Sequence, residues 1–226
     1  MTLLAIDTAA NLCAACLADA ATGALLGVET RDIGKGHAEQ LMEVIGTAMR
    51  HAGKGWGDLT RLAVTVGPGS FTGIRVGVAA ARGLALALDL PLTGITTLEA
   101  LAAQTRIRHP GRAVLAALDA RRGEVYVQVF DADGRPLAGP RAMTLAAAGE
   151  MVAGGMALCG SAARLLAEAS GASGLAFGPE DATPDIAAVA ALAARRPVTQ
   201  EKPRPLYLRS ADARPQEGFA LPRRPG

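Results

Sequence analysis

The feature that most constrains the fold is an internal repeat. Residues 3–19 read LLAIDTAANLCAACLAD, which is a strand, a turn led by Asp7 and a second strand. Residues 115–131 read LAALDARRGEVYVQVFD, which has the same plan around Asp119. Each of these aspartates lies twelve residues before a second aspartate, at Asp19 and Asp131. The two segments therefore predict the same local structure twice.

The repeat predicts two related α/β domains. Each second strand is followed by a glycine and another short apolar run, which indicates a three-stranded meander ahead of helices. A unit of about a hundred residues is too long for a solenoid repeat. The polar stretch QTRIRHPGR separates the units. We therefore predict domains at residues 1–104 and 112–196, followed by a Pro/Arg-rich and partly disordered tail at 197–226.

A glycine-rich motif, VGPGSFTGIRVG at residues 66–77, lies between a strand-like run and a long apolar helical pattern. Strand, glycine turn and helix is the layout of a phosphate cradle. The spacing differs from the known cradles, because the dinucleotide fingerprint requires glycine where Thr72 stands and the chain has no P-loop motif. Spacing alone favours a tight turn with close helix packing.

Charge is distributed unevenly along the chain. Residues 195–226 carry eight Lys/Arg and three Asp/Glu, whereas the rest carries fifteen and eighteen. A basic, proline-rich tail is compatible with contacts to RNA phosphates and equally with a solvated terminus. We favour the second interpretation.

The apolar segments are not predicted to enter a membrane. The apolar start contains Asp7 and has no positive leader, so it does not have the pattern of a signal peptide. The helical run at 70–88 contains Arg75 and Arg82, which would be costly at the centre of a bilayer. We expect a cytoplasmic protein without a membrane anchor.

Cys13 and Cys16 form a C-x-x-C pattern inside a strand-like run. Residues three apart in a strand point to opposite faces of the sheet. We therefore predict reduced, buried cysteines that share neither a disulfide nor a metal.

Two Asp-led hairpins facing each other across a cleft resemble the actin-like ATPase (ribonuclease H-like) superfamily, in which such hairpins hold nucleotide phosphates. The turn at Gly160 is similar to the adenosine-binding turn of that superfamily, with one glycine where two are usual. More specifically, LLAIDTA, VGPGSFTGIRVG, GITTLEALA at 94–102 and PLYLR at 205–209 resemble the TsaB (YeaZ) family. This resemblance covers nearly the whole chain.

The resemblance implies a bacterial protein needed to make N6-threonylcarbamoyladenosine beside the tRNA anticodon. In such a system the paralogue TsaD transfers the threonylcarbamoyl group, TsaB supports TsaD without chemistry or a cofactor of its own, and the small ATPase TsaE joins them. It also implies that tRNA is bound only within the complex, and it allows a homodimer. The alternative is an actin-like enzyme that itself binds and hydrolyses ATP.

Few residues are candidates for chemistry. The resemblance implies a His-x-x-x-His metal pair in TsaD, but His37 is followed four residues later by Leu41, so we predict no metal site. Asp7 and Thr8 are compatible with binding a magnesium-bound phosphate, as a vestigial phosphate loop, and equally with ordinary turn hydrogen bonding.

The resemblance also implies that the chain pairs with its partner through two helices, at residues 37–52 and 70–88. Both helices are apolar over a wide arc, which predicts that each is covered by its own sheet on one side and by a partner on the other. Cover by the rest of the monomer is the other possibility. The residues predicted to contact the partner are Leu41, Ile45, Ala48, Gly73, Gly77, Ala81 and Leu84.

Overall fold

The computed structural model describes residues 1–199 and 201–209, which form two five-stranded sheets with helices on both faces. The first sheet has the strand order β3-β2-β1-β4-β5. Its strands are β1 (Thr2–Asp7), β2 (Leu12–Asp19), β3 (Leu25–Asp32), β4 (Leu59–Gly67) and β5 (Leu92–Thr96).

The second sheet has the order β10-β9-β6-β7-β8. Its strands are β6 (Val114–Asp119), β7 (Glu124–Phe130), β8 (Arg141–Thr144), β9 (Ala157–Cys159) and β10 (Ala176–Phe177). In both sheets the first three strands form an antiparallel meander, and the first strand also pairs in parallel with the fourth. The two related α/β units predicted from the repeat are confirmed, and so is the duplicated ribonuclease H-like fold that the resemblance implied. We call the two sheets, with the helices between their strands, the first and second halves.

Six α-helices accompany the sheets in the described part of the chain. They are α1 (His37–Ala52), α2 (Phe71–Leu88), α3 (Thr97–Arg108), α4 (Leu145–Gly149), α5 (Ala163–Ser170) and α6 (Ile186–Arg195). Helices α1 and α2 cover one face of the first sheet, and α4 and α5 cover one face of the second.

The remaining helices are exchanged between the halves. Helix α3 follows the first sheet in sequence, but its apolar residues Leu98 and Leu101 lie in the core of the second sheet. Helix α6 follows the second sheet, but Val189 and Ala193 lie in the core of the first. Residues 104–112 lie between the last strand of the first sheet and the first strand of the second, and residues 104–108 belong to α3. Helix α6 lies within the predicted domain 112–196 in sequence but packs on the first sheet.

Strand alternation explains why both faces of the first sheet need cover. In β1, Leu4 and Ile6 face α1 and α2, while Leu3 and Ala5 face α6. Every residue of β1 is buried, as expected for a central strand with helices on both sides. The predicted placement of the cysteines also holds, since Cys13 and Cys16 lie in opposite cores.

Part of the predicted tail packs against the first half. Leu206 donates its N–H to the carbonyl of Val66 in β4 at 2.8 Å. Its side chain packs against the core between the first sheet and helices α1 and α2. Residues 210–226 of the tail lie outside the described residues, and the partial disorder of residues 197–226 stays a prediction.

Candidate functional site

The glycines of the 66–77 motif allow α2 to pack directly on the turn that follows β1. A methyl group at Gly73 would collide with the carbonyl oxygen of Thr8, and one at Gly77 would collide with the Thr8 hydroxyl. At Gly69 it would collide with the carbonyl of Ala9. The motif is therefore rich in glycine because two backbone segments approach too closely for side chains.

Hydrogen bonds join the same two segments. The Thr8 hydroxyl donates to the carbonyl of Gly73 at 2.7 Å, and the Ser70 N–H donates to the carbonyl of Ala9 at 2.6 Å. The Ser70 hydroxyl accepts the N–H of Gly73 at 3.3 Å and so caps the helix. The start of α2 is therefore joined to the turn after β1 through Ser70 and Gly73, while residues 70–72 are themselves exposed.

Asp7 is the last residue of β1, directly before this turn, and is fully buried. One of its carboxylate oxygens accepts the N–H of Ala9 at 2.8 Å, as the turn interpretation predicts. The other has no hydrogen-bond partner among the described residues. Burial raises the pKa of Asp7 to about 6, although the hydrogen bond from the Ala9 N–H acts in the opposite direction. A phosphate-binding role for Asp7 and Thr8 stays a prediction.

The turn at Gly160 is built in a similar way. Gly160 has a φ of 88°, and a methyl group there would collide with the carbonyl of Ala117 in β6. The hydroxyl of the next residue, Ser161, accepts the N–H of Asp119 at 3.0 Å. In the second half, too, the end of the first strand contacts a later glycine turn, here at Gly160. Its adenosine-binding role stays a prediction.

The structure places most of the predicted partner residues inside the monomer. Leu84 is half-buried, and the other six are buried, namely Leu41, Ile45, Ala48, Gly73, Gly77 and Ala81. They pack on the first sheet or on the turn after β1. This corrects the sequence-based choice of face, since these residues form the inner side of both helices.

The opposite sides of the two helices are open to solvent. On α2, Ala79, Gly83 and Leu86 are exposed, and Leu86 is 80% exposed. On α1, Met42 is 50% exposed and Gly46 is half-buried. We call these five residues the α1–α2 surface. Both helices cover the same face of the sheet, so their outer sides point away from it together.

Helix α2 is long and apolar enough to cross a membrane by length and composition. Its inner side packs on β1 and β4, and five of its 18 residues are buried. Two of its exposed residues are the arginines Arg75 and Arg82. An apolar helix that is anchored to a sheet and left uncovered on its outer side is a typical protein-contact element.

Sequence reasoning missed a cluster of side chains at the start of α2. The guanidinium of Arg75 lies 3.6 Å from the centre of the Phe71 ring, and its Nε donates to the Tyr207 hydroxyl at 2.7 Å. The Phe71 and Tyr207 rings are 5.3 Å apart. Arg209 then forms an ion pair with Glu124 of β7. The tail segment 203–209 thus connects the first half to the second, and the only signal for it was the PLYLR motif.

The histidines have structural contacts. His37 is buried at the start of α1, with its Nε2 3.3 Å from the carbonyl oxygen of Leu12. His109 Nε2 lies 2.9 Å from the carbonyl oxygen of Phe177. Within residues 1–199 and 201–209, no group of three or more His, Cys, Asp or Glu side chains is arranged to hold a metal ion.

Comparison with known proteins gives a consistent result. The family model described as "TsaD: tRNA N6-adenosine threonylcarbamoyltransferase" matches residues 19–174, well over half of the chain. The chain is 37% identical over 134 residues to the tRNA threonylcarbamoyladenosine biosynthesis protein TsaB of Escherichia coli K12, covering 59% of this chain and 56% of that protein. The Bacillus subtilis 168 protein of the same name is 34% identical over 130 residues, or 58% and 55% of the two chains. The chain thus spans about half the length of the curated relatives it matches.

Two solved structures from Pseudomonas aeruginosa are similar over most of their length. One, an uncharacterized protein with similarity to peptidase YEAZ, has a TM-score of 0.73 and 28% identity, covering 92% of this chain and 99% of that one. The other, YeaZ, has a TM-score of 0.71 and 26% identity, covering 85% and 90%. The chain therefore belongs to the family described by the TsaD model and, within it, to the TsaB (YeaZ) proteins.

Proposed function

We propose that this chain is a non-catalytic partner of TsaD in the formation of N6-threonylcarbamoyladenosine in tRNA. The observation that carries the proposal is the α1–α2 surface, which is apolar, rich in small residues and uncovered in the monomer. Small residues on a helix face let a partner helix approach closely. The curated relatives are named for this biosynthesis.

The contact with TsaD would centre on Leu86 and Gly83. Space around Gly83 is open, since a methyl group there would meet no other atom within 4 Å. Leu86 is the most exposed large apolar side chain of the helix. A stable interface usually needs about 800 Å² from each partner, which two adjacent helices of this length can provide.

The proposed absence of catalysis is supported by the geometry of the first turn. The Asp7 carboxylate is buried, and the start of α2 is bonded to the turn after β1. One carboxylate oxygen of Asp7 and the N–H of Ser70 are thus already used in hydrogen bonds within the chain. In the proposed assembly, TsaE joins the complex in the cytoplasm, tRNA binds only to the assembled complex, and a homodimer would use the same α1–α2 surface.

The pathway assignment is tested by depleting the protein in its source bacterium and measuring modified nucleosides in digested tRNA by mass spectrometry. We expect threonylcarbamoyladenosine to fall, with recovery when the wild-type chain is supplied. An unchanged level after depletion would contradict the assignment.

The alternative function is an ATP-hydrolysing enzyme with the same fold. Isothermal titration calorimetry of the purified chain with ATP and Mg²⁺ distinguishes this enzyme from the non-catalytic partner. We expect weak or no binding and no turnover. Tight binding that is lost in Asp7→Ala would favour the enzyme.

A further inference from the structure

A cavity of about 590 Å³ lies at the edge of the first sheet, between β5, the tail and Pro140 of the second half. Its charged lining comprises the cations Arg196, Lys202 and Arg204 and the carboxylate Glu201. Apolar side chains, including Leu92 and Leu206, form another part of the wall. The volume is within the usual range for small-molecule sites.

A further cation, Arg61, lies behind this wall and is only 8% exposed. Its Nη2 donates to the hydroxyl of Thr93 at 3.0 Å and also to the carbonyl of Arg196, and both of these residues line the cavity. Its Nε has no partner among the described residues, and none of their carboxylates forms an ion pair with it. Burying a guanidinium without a counter-charge is costly.

The positive charge is only partly neutralised nearby. Arg196 donates to the Glu99 carboxylate at 2.8 Å and to the carbonyl of Gly94 at 2.8 Å. Four cations therefore surround the cavity or lie just behind it, against the two carboxylates Glu99 and Glu201. Burial, and secondarily the charge of Arg196, lowers the pKa of Arg61, as expected where positive charge accumulates.

We propose that this cavity binds a phosphate-bearing anion. Arg196, Lys202 and Arg204 supply charged donors for phosphate oxygens. The Thr93 hydroxyl accepts a hydrogen bond from Arg61, so its own hydrogen is available to the ligand. Arg61 adds a fourth positive charge, behind Thr93. The phosphate belongs either to a free phosphorylated compound or to an RNA backbone, and the chemistry of recognition is the same for both.

The test is isothermal titration calorimetry of the full chain with pyrophosphate, in a chloride buffer. We expect the wild type to bind, and Lys202→Gln and Arg204→Gln each to weaken binding about tenfold, because each removes a charged donor. Thr93→Val is expected to weaken binding severalfold. The matched control is Arg195→Gln, since Arg195 is an exposed arginine at the end of α6 that does not line the cavity.

Thr93 is buried, so the folding of Thr93→Val is checked against the wild type by circular dichroism. Lys202 and Arg204 are exposed, so their variants still test the proposal if Thr93→Val fails to fold. No binding by the wild type, or equal binding by Arg204→Gln and Arg195→Gln, would overturn the proposal. A tRNA transcript that displaces pyrophosphate from the wild type would identify an RNA backbone as the source. Failure of tRNA to compete would identify a free phosphorylated compound. The isolated chain is used, so the result does not depend on binding to TsaD.

Discussion

The two halves of the molecule share one topology but differ in size. In the first half the helices that cover the sheet have 16 and 18 residues, whereas their counterparts α4 and α5 have 5 and 8. The third strand has 8 residues in the first half and 4 in the second. The duplicated fold needs only the short versions, so the long helices of the first half provide surface beyond what the fold requires.

The two Asp-led turns show the same contrast on a smaller scale. One carboxylate oxygen of each aspartate accepts the N–H of the residue two positions later, Ala9 at 2.8 Å and Arg121 at 2.7 Å. Asp7 is fully buried, whereas Asp119 is exposed. The same local bond therefore lies in two different electrostatic environments.

The largest expected effects come from the close glycine contacts in both halves. Gly160→Ala should lower the free energy of unfolding by roughly 3 kcal/mol, because it adds a collision with Ala117 to a positive φ. Gly73→Ala should cost about 2 kcal/mol, through its collision with Thr8. Urea denaturation measures both.

Gly83→Ala is the control on the same helix as Gly73. It has open space, so it should stabilise the protein by up to about 1 kcal/mol through helix propensity. If Gly73→Ala were as stable as Gly83→Ala, α2 would not pack on the first turn as described.

The buried and exposed aspartates should differ in their effect on pH dependence. The pKa of Asp7 is raised from 3.8 to about 6 in the folded state, so the folded protein holds this proton more tightly than the unfolded chain. The resulting stability is present below pH 4 and is lost as the pH rises through 6, by up to about 3 kcal/mol.

Asp7→Asn should remove this decline, because the amide oxygen can still accept the N–H of Ala9 and carries no charge. Asp119→Asn should retain it. Thermal unfolding measured from pH 4 to 8 compares the two variants with the wild type. Equal pH profiles for Asp7→Asn and the wild type would show that Asp7 is not the buried titrating group.

A smaller effect is expected where the tail contacts the first half. Tyr207→Phe removes the hydrogen bond from Arg75 but keeps the ring against Phe71. The pair is partly exposed, so we expect a loss of at most about 1 kcal/mol. A double-mutant cycle with Arg75→Met isolates this bond, and a coupling energy of zero would mean that the tail contact does not persist in solution.

The sequence predicted the parts of the structure that depend on local spacing. The paired Asp-led segments predicted two meanders, and strand alternation correctly separated Cys13 from Cys16. The exchange of α3 and α6 was not predictable, because a helix that follows one sheet carries no local mark of the sheet it covers. The residues chosen on α2 lie mainly on its inner side for a related reason, since a helix that is apolar on nearly all sides does not indicate which side faces its own sheet.

The central claim is that the extra helical surface of the first half binds TsaD. The most direct measurement is the dissociation constant for TsaD from the same source, by calorimetry, for the wild type, Leu86→Glu and Leu165→Glu. Leu165 is the control, because it is an exposed leucine, 43% accessible, on the second-half counterpart of α2. We predict that Leu86→Glu stays folded and binds at least about a hundredfold more weakly, as for a residue near an interface centre, while Leu165→Glu binds like the wild type. Wild-type affinity in a folded Leu86→Glu variant would contradict the account.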